Sequence, residues 1–156
     1  MVSAATARRI QKEIRNLLLL GENGIYIYLS DPEDIMNLQV MIYGPEGTPY
    51  EGGWYVLSWK FSDNGPFETP KIFFITKIFH PNISEEDGLI SINILMHEWA
   101  PALVMGKIIL SISSLLSDPN FDDPLNLEAA RIYKEDPEMY EEICNSYKLR
   151  YCANST

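Results

Sequence analysis

The side chains best suited to chemistry in this 156-residue chain gather in one stretch without hydrophobic period, from Thr76 to Met105. It holds both histidines, His80 and His97, together with Asn82 and Ser91. A segment of about 30 residues with no regular element is uncommon inside a compact domain and is usually functional. A serine near histidines suggests hydrolysis. However, Ser91 stands in Leu-Ile-Ser-Ile-Asn and not in a Gly-x-Ser-x-Gly elbow. A serine hydroxyl without a general base is a poor nucleophile, and nothing in the sequence sets a base beside it. Two histidines with no cysteine nearby do not make a zinc site, and no cofactor is expected. Read alone, Asn82 is a turn asparagine bonding its own backbone, and Asp123, ahead of Pro124, is a loop aspartate.

The elements that must position these residues follow from periodicity. Ile10, Ile14, Leu17 and Leu18 recur at helical spacing, which predicts an amphipathic helix from about Ser3 to Leu20, ended by Gly21. The period then changes. Ile25–Leu29, Asn37–Tyr43, Trp54–Phe61 and Ile72–Ile75 are short, aromatic and β-branched, and turn residues separate them. They predict four strands of an antiparallel meander. Gly44 to Pro49 reads as a turn. Helical patterning resumes at Gly106–Leu116 and at Leu127–Lys134. A last helix has Asp136 as N-cap and Pro137 at its first position. Glu138, Glu141 and Glu142 near its start, with Lys148 and Arg150 near its end, suit the helix dipole. Segregated strands and helices predict an α+β fold, with residues 1–156 as a single domain.

Composition narrows the function. The chain is 46% hydrophobic and 22% charged, near globular averages. No apolar run approaches the roughly 20 residues of a membrane span. Met1 to Arg9 lacks the apolar core of a signal peptide, so a cytoplasmic or nuclear location is expected. A net charge of -10 argues against a general nucleic-acid binder. The charge is uneven: Arg8, Arg9, Lys12 and Arg15 make the start basic, while Ser117 to Glu142 carries nine acidic residues against Arg131 and Lys134. Opposed patches of this kind steer charged protein partners. In a helix, Cys144 and Cys152 would stand about 12 Å apart. That is too far for a disulfide, so both are expected to be reduced.

A series of motifs runs in order through the chain. Gly-Pro-x-Gly-Thr-Pro-Tyr-x-Gly-Gly spans Gly44 to Gly53, and Pro-Phe-x-x-Pro-Lys spans Pro66 to Lys71. Thr76-Lys77-Ile78-Phe79 leads into His80-Pro81-Asn82, and Gly88-Leu89-Ile90-Ser91 and Trp99-Ala100-Pro101-Ala102 follow. Ser-Leu-Leu-x-Asp-Pro-Asn at Ser114 to Asn120, then Asp122-Asp123-Pro124-Leu125, Glu128-Ala129-Ala130 and Tyr133-Lys134, complete the set. In these motifs the chain resembles the ubiquitin-conjugating enzymes from about Ala4 to Tyr151.

The resemblance implies the ubiquitin-conjugating fold: an N-terminal helix, a four-stranded meander and C-terminal helices. It implies a carrier that takes the ubiquitin C-terminus from an activating enzyme as a thioester, then yields it to a substrate lysine with a ligase. Ser91 stands where the family has its cysteine. Asn82 matches an asparagine credited with stabilising the oxyanion or organising the loop, and an amide N–H is the right group for the former. Asp123 matches an acidic residue near the incoming lysine, where a carboxylate orients the ammonium and assists its deprotonation. His80 is expected to hold the loop. Asn93 replaces an aspartate frequent in the family and is carried as a supporting residue. A serine here fits two cases: one introduced into an active carrier, or one native to a non-catalytic binding variant. Because His80, Asn82 and Asp123 all match, the active parent is favoured.

The same resemblance implies partners: ubiquitin, an activating enzyme and a RING or HECT ligase, with the chain itself a monomer. Arg8 and Arg9 align with positions that meet activating enzymes and ligases. Phe67, Ala100 and Pro101 fall in the two loops that dock ligases, although Gly65 and Glu68 depart from the usual tyrosine and lysine. The acidic stretches Glu85-Glu86-Asp87 and Ser117 to Asp123 are expected to attract the basic ubiquitin tail, an attraction that salt would weaken.

Overall fold

The computed structural model describes residues 4–18, 25–29, 34–61, 70–90 and 105–152. Its first helix, α1 (Ala4–Leu18), buries Ile10 completely and Ile14 in part, while Arg8, Arg9, Lys12 and Arg15 face solvent. This one-sided burial is what the spacing of the isoleucines demands.

Four strands follow: β1 (Ile25–Leu29), β2 (Asn37–Tyr43), β3 (Trp54–Lys60) and β4 (Lys71–Phe74). They pair antiparallel in chain order, with Val40 opposite Leu57 and Leu57 opposite Phe74. The first two strands have the limits read from the sequence. The third stops one residue short of Phe61, and the fourth lies one residue earlier than Ile72–Ile75. The shift has a cause: the N–H groups of Ile75 and Thr76 both bond the Val56 carbonyl, which turns the chain out of the ladder.

Alternation sets which face is inside. Leu38, Val40 and Ile42 of β2 are buried with Tyr55, Leu57 and Trp59 of β3 and Ile72 and Phe74 of β4. Against them lie Ile108, Ile109, Ile112, Leu115 and Leu116 of α2 (Met105–Ser117). Each fully buried side chain of this kind stabilises the fold by about 1.5–3 kcal/mol. On the opposite face Tyr26, Tyr43 and Trp54 form an edge-packed aromatic cluster.

Two helices close the chain, α3 (Leu127–Glu135) and α4 (Pro137–Tyr151). Asp136 serves both: its N–H bonds the Ile132 carbonyl at the end of α3, and its carboxylate accepts the Met139 N–H to cap α4. Tyr140 and Cys144 bring α4 into the core. Cys144 is buried, Cys152 half-buried, and both are free thiols.

Candidate active site

Beyond β4 the chain leaves regular structure but not order. Thr76 Oγ1 accepts the Val56 N–H at 2.9 Å, and residues 77–83 run on to a turn at Ser84–Gly88. That turn folds back onto β4. Phe74 N–H donates to the Gly88 carbonyl at 2.8 Å, and bridges join Phe73 to Leu89 and Ile83 to Ile90. Gly88 has φ +74°, and a Cβ there would lie 2.1 Å from the Phe74 carbonyl oxygen. Only glycine permits both the dihedral and the approach.

His80 is fully buried. Its Nε2 lies 2.8 Å from the Leu115 carbonyl, and its Nδ1 accepts the Asn82 backbone N–H at 3.0 Å. These partners fix the tautomer, because a carbonyl requires Nε2 to carry the proton. Burial lowers the His80 pKa to about 4, against a smaller opposing effect of the Leu115 hydrogen bond. A ring with both nitrogens engaged has no lone pair to offer a substrate proton. Its place is to tie the 80–82 segment to the end of α2.

Asn82 is equally buried. Its Nδ2 donates to the Asn120 carbonyl at 2.6 Å, and its Oδ1 accepts the Asn120 N–H at 2.9 Å. One side chain thus replaces a backbone partner for the loop beyond α2. The neighbouring Pro81 carbonyl takes the N–H groups of Leu125 and Asn126 at 2.8 and 3.0 Å. Asn126 then caps α3 through Ala129 N–H. The 118–126 loop, which carries Asp123 at its exposed surface, is therefore built on Pro81 and Asn82. This is a loop-organising geometry.

Of the residues singled out in the sequence, His80, Asn82 and the loop of Asp123 come together. Arg8 and Arg9 stand exposed on α1. Ser91, Asn93, His97, Phe67, Ala100 and Pro101 lie outside the described residues. Sequence reasoning missed the backbone groups of Leu115, Pro81 and Asn120. A backbone acceptor has no sequence signature.

A four-stranded meander followed by a pinned His-Pro-Asn segment and two closing helices defines a ubiquitin-conjugating fold. The model of the ubiquitin-conjugating enzyme family matches residues 9–148, and the chain belongs to that family. It is similar to a crystal structure of a candidate ubiquitin conjugating enzyme from Plasmodium yoelii, at 36% identity and TM-score 0.90, with 99% of each chain covered. It is also similar to the E2 domain of a Toxoplasma gondii ubiquitin conjugating enzyme, at 35% identity and TM-score 0.85, over 94% of this chain and 99% of that one. The family is one of transferases that work with ubiquitin, an activating enzyme and ligases.

Proposed function

We propose that this chain is a ubiquitin carrier built to accept ubiquitin on the side chain of residue 91 and to pass it to substrate lysines with a ligase, with Ser91 impairing the first step. The observation that supports it is the intact Asn82–Asn120 pairing, which keeps the Asp123 loop on the His-Pro-Asn segment. The Ile83–Ile90 bridge adds support, since it sets the residue before position 91 beside the residue after Asn82. A pure binding module has no need of this acceptor-side architecture.

In the transfer, a thiolate at position 91 attacks the thioester carbonyl of the charged activating enzyme and expels that enzyme's thiolate. A lysine amine then attacks the new thioester, loses its proton with help from the Asp123 carboxylate, and expels residue 91 as leaving group. Serine impairs the first attack, because its hydroxyl stays protonated at neutral pH, and an oxyester, once formed, is less reactive toward the lysine amine in the second. Arg8 and Arg9 on α1 would meet the activating enzyme or ligase. Phe67, Ala100 and Pro101 would meet the ligase, and the work would proceed in the cytoplasm or nucleus.

The experiment is Ser91→Cys with activating enzyme, ATP and ubiquitin. An adduct removed by reducing agent supports the carrier. Its absence supports the second reading, a silent variant that binds ubiquitin or a partner enzyme, for which Ser91 itself is the argument.

A further inference from the structure

The carbonyl of Phe79, the residue just before His80, is where two tyrosine hydroxyls and a thiol from distant parts of the chain converge. Tyr50 Oη donates to it at 2.6 Å. Tyr140 Oη lies 3.3 Å from the same oxygen and 2.5 Å from Tyr50 Oη. Cys144 Sγ approaches it at 3.5 Å. Tyr50, Tyr140 and Cys144 are each at most 3% exposed. Since the Tyr50 proton goes to the carbonyl, Tyr140 supplies the proton between the two hydroxyls, and the donors form a series ending on Phe79.

The series is itself anchored. Tyr50 sits in the 44–53 turn, where the Gly44 N–H bonds the Gly53 carbonyl and Tyr50 N–H bonds Thr48 Oγ1. From α4, Lys148 Nζ donates to the carbonyls of Pro49 and Glu51, one on each side of Tyr50. The Tyr50 ring packs on His80, and the Tyr140 ring on Phe79. Burial holds the pKa of each tyrosine well above its ordinary range, so both remain donors at any working pH.

We infer that Tyr50 and Tyr140 are positioning residues for transfer: their hydroxyl series on the Phe79 carbonyl sets the 79–82 segment and, through Asn82, the loop that presents Asp123. Going forward from Phe79, the pins are consecutive. The His80 ring is held by Leu115, the Pro81 carbonyl by Leu125 and Asn126, and the Asn82 amide by Asn120. A displacement at Phe79 therefore has no slack before it reaches the acceptor side. The inference rests on the carrier reading and extends it to residues that touch no substrate.

The test uses Tyr50→Phe, Tyr140→Phe and the double variant in the Ser91→Cys chain. Phenylalanine keeps the rings, and Cys144 still faces the carbonyl, so the fold survives. Charging by activating enzyme is measured separately from single-turnover discharge to free lysine. The expected result for Tyr50→Phe is charging within about twofold of the parent and discharge slowed about tenfold, as small misplacements in a transfer geometry cost. The double variant should be slower than Tyr50→Phe, since without the Tyr50 hydroxyl the Tyr140 proton is free to reach the Phe79 carbonyl 3.3 Å away. Unchanged discharge, or equal loss in charging and discharge, overturns the inference. Amide exchange supplies a second readout. The N–H groups of Asn82, Asn120, Leu125 and Asn126 should exchange faster while those of β2 and β3 keep their protection. A uniform change, or none, overturns it. If the Ser91→Cys parent takes up no ubiquitin, the carrier reading fails by itself, and the exchange pattern still decides whether the tyrosines set the loop.

Discussion

Asn82 and the backbone of Asn120 form a closed reciprocal pair: amide to carbonyl at 2.6 Å, N–H to amide oxygen at 2.9 Å. Removing the side chain in Asn82→Ala leaves a partly buried N–H and carbonyl without partners. Such a group costs about 1–3 kcal/mol when fully buried, and Asn120 is itself exposed, so urea denaturation should show a loss of about 1–2 kcal/mol. Asn82→Asp keeps the acceptor but turns a carboxylate toward the Asn120 carbonyl, and should be no better. In the Ser91→Cys form both should discharge to lysine far more slowly than they charge. Equal stability of Asn82→Ala and parent would mean that the loop is held by something else.

His80 predicts a pH dependence. Its folded pKa is lowered to about 4 by burial, against about 6.5 unfolded. Below the unfolded value the unfolded chain binds a proton that the folded chain refuses. Stability from this group is therefore complete above about pH 6.5 and falls as pH drops toward 4, with a slope of up to about 1.4 kcal/mol per pH unit. Carboxylates contribute to acid unfolding as well, so the measurement is a difference. His80→Gln should be less stable at pH 7, and its stability should decline less steeply between pH 6.5 and 4. Parallel pH profiles would show that the His80 ring is not held neutral.

The elements were largely legible in the sequence because burial follows period: Leu38, Val40 and Ile42 alternate with Gln39 and Met41, and Ile10 and Ile14 repeat at one helical turn. Strand ends were less so, since the end of β4 depends on the Val56 carbonyl in a neighbouring strand. At the site, His80, Asn82 and Asp123 could be picked out, through the resemblance rather than through their own types. Their partners could not, because Asn120, Leu115 and Pro81 act through backbone groups that any residue carries. Tyr50 stood only within the Gly44 to Gly53 motif and Tyr140 within the last helix; that their hydroxyls meet at the Phe79 carbonyl is a product of the tertiary fold.

Two glycines with similar dihedrals should behave differently. Gly47 has φ +81° and open space where a Cβ would stand. Gly47→Ala should therefore cost only the dihedral, about 1–2 kcal/mol. Gly88 has φ +74° and the Phe74 carbonyl 2.1 Å from that position. A backbone neighbour cannot swing away, so Gly88→Ala must break the Phe74–Gly88 hydrogen bond and move the turn. A loss above about 3 kcal/mol is expected, at the upper end for single substitutions. Thermal or urea unfolding of the two variants side by side checks this, and equal costs would contradict it.

The Ser84–Gly88 turn is also tied to α4, and there the choice between a hydrogen bond and an ion pair can be decided. Tyr147 Oη donates to Glu85 Oε1 at 2.6 Å, and Lys77 Nζ reaches the same oxygen at 3.6 Å. Lys77 is 45% exposed on its side chain and Glu85 35%, so water and salt screen the longer contact. Exposed ion pairs are worth about 0–1 kcal/mol, whereas a short hydrogen bond to a charged acceptor is worth about 1.5–3 kcal/mol. Tyr147→Phe should thus destabilise by about 1–2 kcal/mol after allowance for partial exposure, and Lys77→Ala by less than about 0.5 kcal/mol. Raising the salt from 0.05 to about 0.5 M should erase the Lys77 effect and leave most of the Tyr147 effect, because screening acts on charges separated by solvent. The N–H groups of Gly88 and Leu89 should exchange faster in Tyr147→Phe, since the turn leading to position 91 then loses its tether. A larger cost for Lys77→Ala than for Tyr147→Phe would make the ion pair, and not the tyrosine, the device that holds this turn.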